Sequence, residues 1–254
     1  MNGKLGAILL PALGVALAIG LWWLATAVFP VNAALVPGPG AVLGAFRELP
    51  SYLLAQAGHT LIEVLAGFAA AVVAGAFIAL ALTGSRVVER MAFPLLLALN
   101  SVPKVAVAPL LVLWFGFGQL PKVIMVFLVC FFPVVISMVS GLASTPPEFV
   151  ELARSLEAPG WQAFLKVRVP SALPQVFVGL KVGMTLAVIG AVISEFQAGT
   201  VAGLGFVIAV STGQTETAQT FAAVVLLALL SIALYYGLVA VERVLIPWAR
   251  PGRP

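Results

Sequence analysis

The chain has 254 residues, 62% of them hydrophobic and only 9% charged, and its mean hydropathy is +1.16. A soluble domain carries about 25% charged residues, so lipid must be the solvent for most of this surface and a soluble single-core fold is excluded. Aspartate is absent and Cys130 is the one cysteine, which excludes paired-aspartate sites, an internal disulfide and a multi-cysteine metal site.

A membrane-crossing helix needs roughly 20 predominantly apolar residues. Leu5 to Val28 meets that requirement and exceeds the roughly 7–15-residue apolar core of a cleaved signal peptide. Pro37 to Gly58 opens on a Pro/Gly stop and carries Arg47 and Glu48, so it reads as an amphipathic helix lying on the membrane surface. Spans are then expected at His59–Leu82, at Met91–Phe115 with "NSVPKVAVAP" interrupting it, at Val123–Gly141, at Ser171–Ser194 and at Thr217–Val241. Gly199–Thr215 is too rich in Gly, Ser and Thr to span and reads as a surface or re-entrant segment. The expected fold is an all-α membrane protein with six transmembrane helices in a single domain, 1–254. The first span and surface helix occupy 1–56, and the core occupies 57–246.

Lys and Arg in the short loops set the orientation. With a cytoplasmic N-terminus, the inner segments hold Lys4, Arg86, Arg90, Arg154, Lys166, Arg168, Arg243, Arg250 and Arg253, and the outer ones hold only Arg47 and Lys122. Nine against two places both termini in the cytoplasm. It also explains the net charge of +4 without nucleic acid.

Between spans four and five lies "EFVELARSLEAPGWQAFLKVRVP", the densest run of charge in the chain. Thr145, Pro146 and Glu148 read as N-cap, first helical residue and capping box. Phe149, Leu152, Ala153 and Leu156 follow at helical spacing as one apolar stripe, backed by Glu148, Glu151 and Arg154. Pro159-Gly160 breaks this helix, and a second short one, Trp161 to Val167, is expected to end before Pro170. Surface helices that rest on anionic lipid carry Lys and Arg on the polar face. This one carries three glutamates, so a protein groove that takes an amphipathic helix is the better partner.

Here the chain resembles the permeases of ABC importers. Their coupling helix reads Glu-Ala-Ala, three residues, Gly, nine residues, Ile-x-Leu-Pro. This chain has Glu151-Leu152-Ala153, then Glu157 in place of the glycine, then Val167-Arg168-Val169-Pro170. With Glu157 there, the turn is expected from Pro159-Gly160 instead. "VPKVAVAPLLVLWFGFG", "VPSALPQVFVGLKVG" and "VISEFQAGTVAGLGF" look like further motifs of the nitrate/sulfonate/taurine type, in the right order. The resemblance implies a type I importer permease architecture with a coupling helix at 146–168. Glu148, Phe149, Glu151, Leu152, Ala153, Arg154, Leu156, Glu157 and Gly160 would dock on the ATPase.

It also implies a second permease copy, most simply a homodimer, two ATPase subunits that bind ATP and Mg, a periplasmic solute-binding protein, and residence in the bacterial inner membrane. The chain lacks the phosphate loop G-x-x-x-x-G-K-[ST]; it is expected to be neither an enzyme nor a cofactor carrier by itself.

Charges within spans are costly, about 2.5–3.5 kcal/mol near the centre, and so are candidates for the pathway. Lys181 reads as a pathway-lining cation or as the structural partner of a carboxylate or helix C-terminus. Asn100, Ser101 and Lys104, at the break in span three, read as solute contacts or a gate, or as plain structural hydrogen bonding. His59 and Glu63 share a helix face and read as an interfacial pair; two such residues do not make a metal site. In sulfonate-type relatives the position of Glu63 looks commonly basic, which points to another solute branch such as pyrimidines, riboflavin or aromatic acids. Glu195 reads as an outer gate, a binding-protein contact or a solvated helix end. A self-contained secondary transporter or channel is the alternative, but matching broken helices in both halves are not found. An intramembrane enzyme built on His59 lacks a nucleophile–base spacing.

Overall fold

The computed structural model describes residues 3–28, 32, 35–197 and 200–249. Arg250 and Arg253 of the orientation count and Gly199 lie outside them. Among the described residues every regular element is a helix. These are α1 (Gly3–Val28), α2 (Pro39–Glu48), α3 (Pro50–Gly84), α4 (Arg86–Ser101), α5 (Lys104–Phe115) and α6 (Gln119–Ala143), then α7 (Pro147–Ser155), α8 (Gly160–Ala163), α9 (Val169–Glu195), α10 (Leu204–Gly213) and α11 (Thr217–Leu245). A π-helical turn, Phe164–Arg168, joins α8 to α9, and a 3₁₀ turn, Pro247–Ala249, follows α11.

Four helical runs are long and apolar enough to cross a membrane: α3, α6, the run from Gly160 to Glu195, and α11. The helices α4 and α5 form a fifth apolar unit, bent by 89°. This unit corresponds to the interrupted span expected at Met91–Phe115. The bend arises because a residue before proline is pushed out of the α region: Val102 (ψ 127°) and Pro103 (ψ 103°) are both extended.

The helix α6 is the centre of the bundle, packed along its length between α3 and α9. Apolar helices in lipid associate by close packing, which small residues permit. A Cβ at Gly67 of α3 would meet Val126 of α6, and one at Gly179 of α9 would fall on Ser137 of α6. Phe68, Val126, Cys130, Val134, Leu180 and Met184 fill the core between the three helices. The apolar α1 touches this bundle through Trp22, whose ring stacks on Phe221 of α11 at 5.9 Å.

Two boundaries differ from the sequence reading. The surface helix ends at Glu48, and Pro50 starts α3, which runs 35 residues, about 52 Å at 1.5 Å per residue. Leu53, Gln56 and Ala57, expected on the surface, are buried in the bundle. Residues 204–213 form a buried-ended helix of ten residues, about 15 Å long and too short to cross.

Candidate functional site

Two polar constellations sit at opposite ends of α6 and α9. Lys122 is the fourth residue of α6 and Glu195 the last of α9, while α7 and α8 join the other ends of the same two helices.

At the first end, α3 contributes Gln56, Thr60 and Glu63 on one face, all buried. Lys122, 4% exposed, donates to Glu63 Oε1 at 2.9 Å and to the Ala202 carbonyl at 2.7 Å. Glu63, 0% exposed, therefore pairs with Lys122 rather than making an interfacial pair with His59, and Lys122 is an interior cation, not a loop charge. Glu195 is also fully buried. Its carboxylate accepts from Thr60 Oγ1 at 2.7 Å and from the Gly205 amide at 2.6 Å. The solvated-helix-end reading of Glu195 is thereby corrected.

The same residues finish the start of α10. The first amides of a helix have no intrahelical acceptor. Here the Gly203 amide donates to Gln56 Oε1 at 2.7 Å and the Leu204 amide to Thr60 Oγ1 at 2.9 Å, with Gly205 on Glu195. The positive end of the α10 dipole thus faces the Glu195 carboxyl, while the Lys122 ammonium faces Glu63. This arrangement explains the Gly203-Leu204-Gly205 motif. Gly203 has φ +112°, and a Cβ on it would collide with the Glu195 carboxylate. Gly203→Ala is expected to destabilise the protein by about 2 kcal/mol or more, from the disfavoured φ and the lost Glu195 contacts together, measurable as a lowered Tm in detergent.

At the other end, α7 presents Phe149, Leu152 and Leu156 outward; Leu152 is 58% exposed. Ala153, expected on the same stripe, lines the same groove but is only 7% exposed. Phe149, Leu152, Leu156, Lys166 and Trp248 line a groove of about 930 Å³ beneath the segment. The capping box does not form. Pro146, which has no side-chain acceptor, takes the N-cap position, and Thr145 Oγ1 donates back to the Leu142 carbonyl. Glu148 and Glu151 remain exposed on the polar face with Arg154.

The turn after α7 occurs at Glu157, not at Pro159-Gly160. Glu157 has φ +52°, its amide donates to the Arg154 carbonyl at 2.9 Å, and the Ala158 amide donates to the Ala153 carbonyl at 3.0 Å. This pair of bonds is a Schellman motif, whose left-handed residue is ordinarily glycine. Glu157 therefore takes the glycine's conformation at a strain cost, and Gly160 has no left-handed backbone. Glu157→Gly is expected to stabilise this turn by about 1 kcal/mol, seen as slower amide exchange at Ala158.

Of the remaining charges, Lys181 pairs with Glu242 of α11 at 2.8 Å, the two side chains being 20% and 24% exposed. A carboxylate partner for Lys181 is what the structure supplies. Lys104 reaches across the α4–α5 bend to the Asn100 side-chain oxygen at 2.6 Å and its carbonyl at 2.5 Å, and Ser101 Oγ donates to the Leu97 carbonyl at 3.0 Å. Among the described residues no group of three or more His, Cys, Asp or Glu side chains could hold a metal ion.

Residues 71–250 match the model of the family described as binding-protein-dependent transport system inner membrane component. The chain belongs to this family. It is therefore a multi-pass protein of the inner membrane and an ABC transporter permease by descent, as its motifs implied. The riboflavin transport system permease protein RibX of Chloroflexus aurantiacus is 37% identical over 94% of this chain and 91% of its own length. The formylaminopyrimidine transport permease protein ThiX of Halalkalibacterium halodurans is 35% identical over 75% of this chain and 76% of its own. A crystal structure of an amino acid ABC transporter superposes with a TM-score of 0.62 at 18% identity, over 81% of this chain and 97% of that one. It shares the fold.

Proposed function

We propose that this chain forms half of the translocation pathway of an ATP-driven importer, as one of two identical permease subunits. Two ATPase subunits, which hold ATP and Mg, dock beneath it, and a periplasmic binding protein delivers the solute. The carrying observation is the segment α7–α8. It links the ends of the two central helices and leaves an apolar stripe, Phe149, Leu152 and Leu156, exposed over a groove that Lys166, Pro170 and Trp248 complete. An amphipathic helix so exposed calls for a protein groove. Movement of a docked α7 acts directly on α6 and α9, hence on the far polar cluster about 39 Å along α9.

In this reading α1, α3, the α4–α5 unit, α6, α9 and α11 supply six spans with both termini cytoplasmic, following the distribution of Lys and Arg. The exposed α4–α5 corner, held by Lys104 and Asn100, borders the pathway. Glu63 and Glu195 act from inside the bundle, shaping its outer end without touching solute. The solute class follows the more similar relatives: a flat heterocycle of the riboflavin or formylaminopyrimidine kind.

The test is co-purification with the ATPase encoded beside it, comparing the parent with a variant whose residues 148–167 are a Gly/Ser linker. Retention by the parent and loss in the variant supports docking; no retention by the parent under any nucleotide condition overturns it. Uptake of labelled riboflavin, formylaminopyrimidine and taurine by the reconstituted importer then decides the solute, and taurine as the best substrate would overturn the heterocycle assignment.

A further inference from the structure

The second short helix, expected to end before Pro170, does not end there. It runs unbroken from Gly160 to Glu195, 36 residues, through Pro170 and Pro174. At Pro170 the passage coincides with the turn Phe164–Arg168, where the Val169 amide donates to the Phe164 carbonyl, five residues back instead of four, whereas Pro174 lies within regular α9. Proline in an α-helix has no N–H for the carbonyl four residues earlier and its ring strikes that carbonyl. For Pro170 that carbonyl belongs to Lys166. A π turn widens the helix and moves the carbonyl clear. Single π turns of this kind amount to one extra residue accommodated within an α-helix.

That extra residue has a geometric consequence. A helix advances about 100° and 1.5 Å per residue. If Phe164–Arg168 relaxed to an α turn with the same number of residues, everything on its N-terminal side would turn by about 100° about the α9 axis. That side includes α8 and, through the tight Glu157 turn, α7, which packs against the π turn. The direction in which Phe149, Leu152 and Leu156 point depends on this one turn.

We propose that Pro170 is a positioning residue for the docking face of α7: by holding Phe164–Arg168 in a π turn, it sets the rotation of α7 and α8 relative to the membrane helix α9. This rests on the docking role of α7 argued above. Pro170 also lines the groove beneath α7, so its effect through register is what the compensating deletion has to isolate.

Register makes a compensating change possible. In Pro170→Ala the turn is free to become α-helical, with one residue too many. Deleting Leu165, a 55% exposed side chain, from that variant removes the surplus and returns α7 to its original rotation. Three forms of the full chain are compared: parent, Pro170→Ala, and Pro170→Ala with Leu165 deleted. The first readout is the Kd for the adjacent ATPase. Pro170→Ala is expected to weaken it at least tenfold, and the compensated form to recover to within about threefold of the parent. The second is the spin-label distance between Leu156→Cys on the end of α7 and Val178→Cys on α9, in a Cys130→Ala background. It is expected to shift by about 5 Å in Pro170→Ala and to return in the compensated form.

A Kd and distance unchanged in Pro170→Ala overturn the proposal, as does a compensated form no better than Pro170→Ala. If the parent does not bind the ATPase, the docking role fails, and the distances still decide the register: a shift that reverses on deletion supports Pro170 as its determinant, and a constant distance overturns it.

Discussion

Glu63→Gln is expected to lower the stability of the folded protein by about 3–5 kcal/mol, the cost of leaving a buried ammonium without its carboxylate. Lys122 is 4% exposed, and its other acceptor is a single carbonyl, that of Ala202. Carbonyl and amide oxygens do not offset a full charge in this setting, and the other carboxyl of the cluster, Glu195, is held by Thr60 and the Gly205 amide. The loss spreads, because the Ala202 segment leads into Gly203 and the start of α10, whose amides rest on Gln56, Thr60 and Glu195. Replacing both members, Glu63→Gln with Lys122→Met, removes the orphaned charge and is expected to recover at least half of the loss. Thermal unfolding of the purified protein in detergent, read for both single variants and the double, provides the cycle. Single and double variants that unfold at the same temperature would show that the pair is not the determinant. Glu63 would then be open to the solute-selecting role that its divergence from sulfonate-type relatives suggested.

That pairing marks the limit of what the chain's order of residues can disclose. Helical periods and apolar runs placed α6, α9 and α11 to within a few residues, because each signal lies inside one element. Glu63 and Lys122 are 59 residues apart, and nothing local distinguishes an outer-loop lysine from one that turns into the bundle. Lys181 and Glu242, 61 apart, were hidden in the same way. The Gly203-Leu204-Gly205 motif was visible, but its reason was not: the glycines are small because Glu195, folded back from the previous helix, occupies the space. At Pro170 a sound local rule gave the wrong boundary. Proline does disfavour an α turn, and the chain answered with a π turn instead of an end. At Glu157 the sequence showed a missing glycine, and the natural inference moved the turn to the next Pro-Gly. The hydrogen bonds of a helix C-terminus held the turn in place and forced the glutamate into the glycine's backbone.

The same distinction between spacing and direction decides which substitution tests docking. Phe149, Leu152, Ala153 and Leu156 share a helical stripe and line one groove, but Ala153 sits at its floor at 7% exposure while Leu152 is 58% exposed. A charge at position 153 has to be buried on the floor of the groove, so Ala153→Asp is expected to disorder the segment itself. Its effect on transport would say little about docking. Leu152→Asp places the charge on the outer surface, where the free permease hydrates it at no structural cost. Its cost arises only when a partner excludes water from that surface. Leu152→Asp is therefore expected to leave the Tm of the isolated permease within about 1 °C of the parent and to weaken ATPase binding at least a hundredfold, about 2.7 kcal/mol. Binding within threefold of the parent would place the contact elsewhere. The remaining candidate would be the polar face of Glu148, Glu151 and Arg154, whose contribution screens with salt, so the ionic-strength dependence of the same Kd separates the two faces of α7.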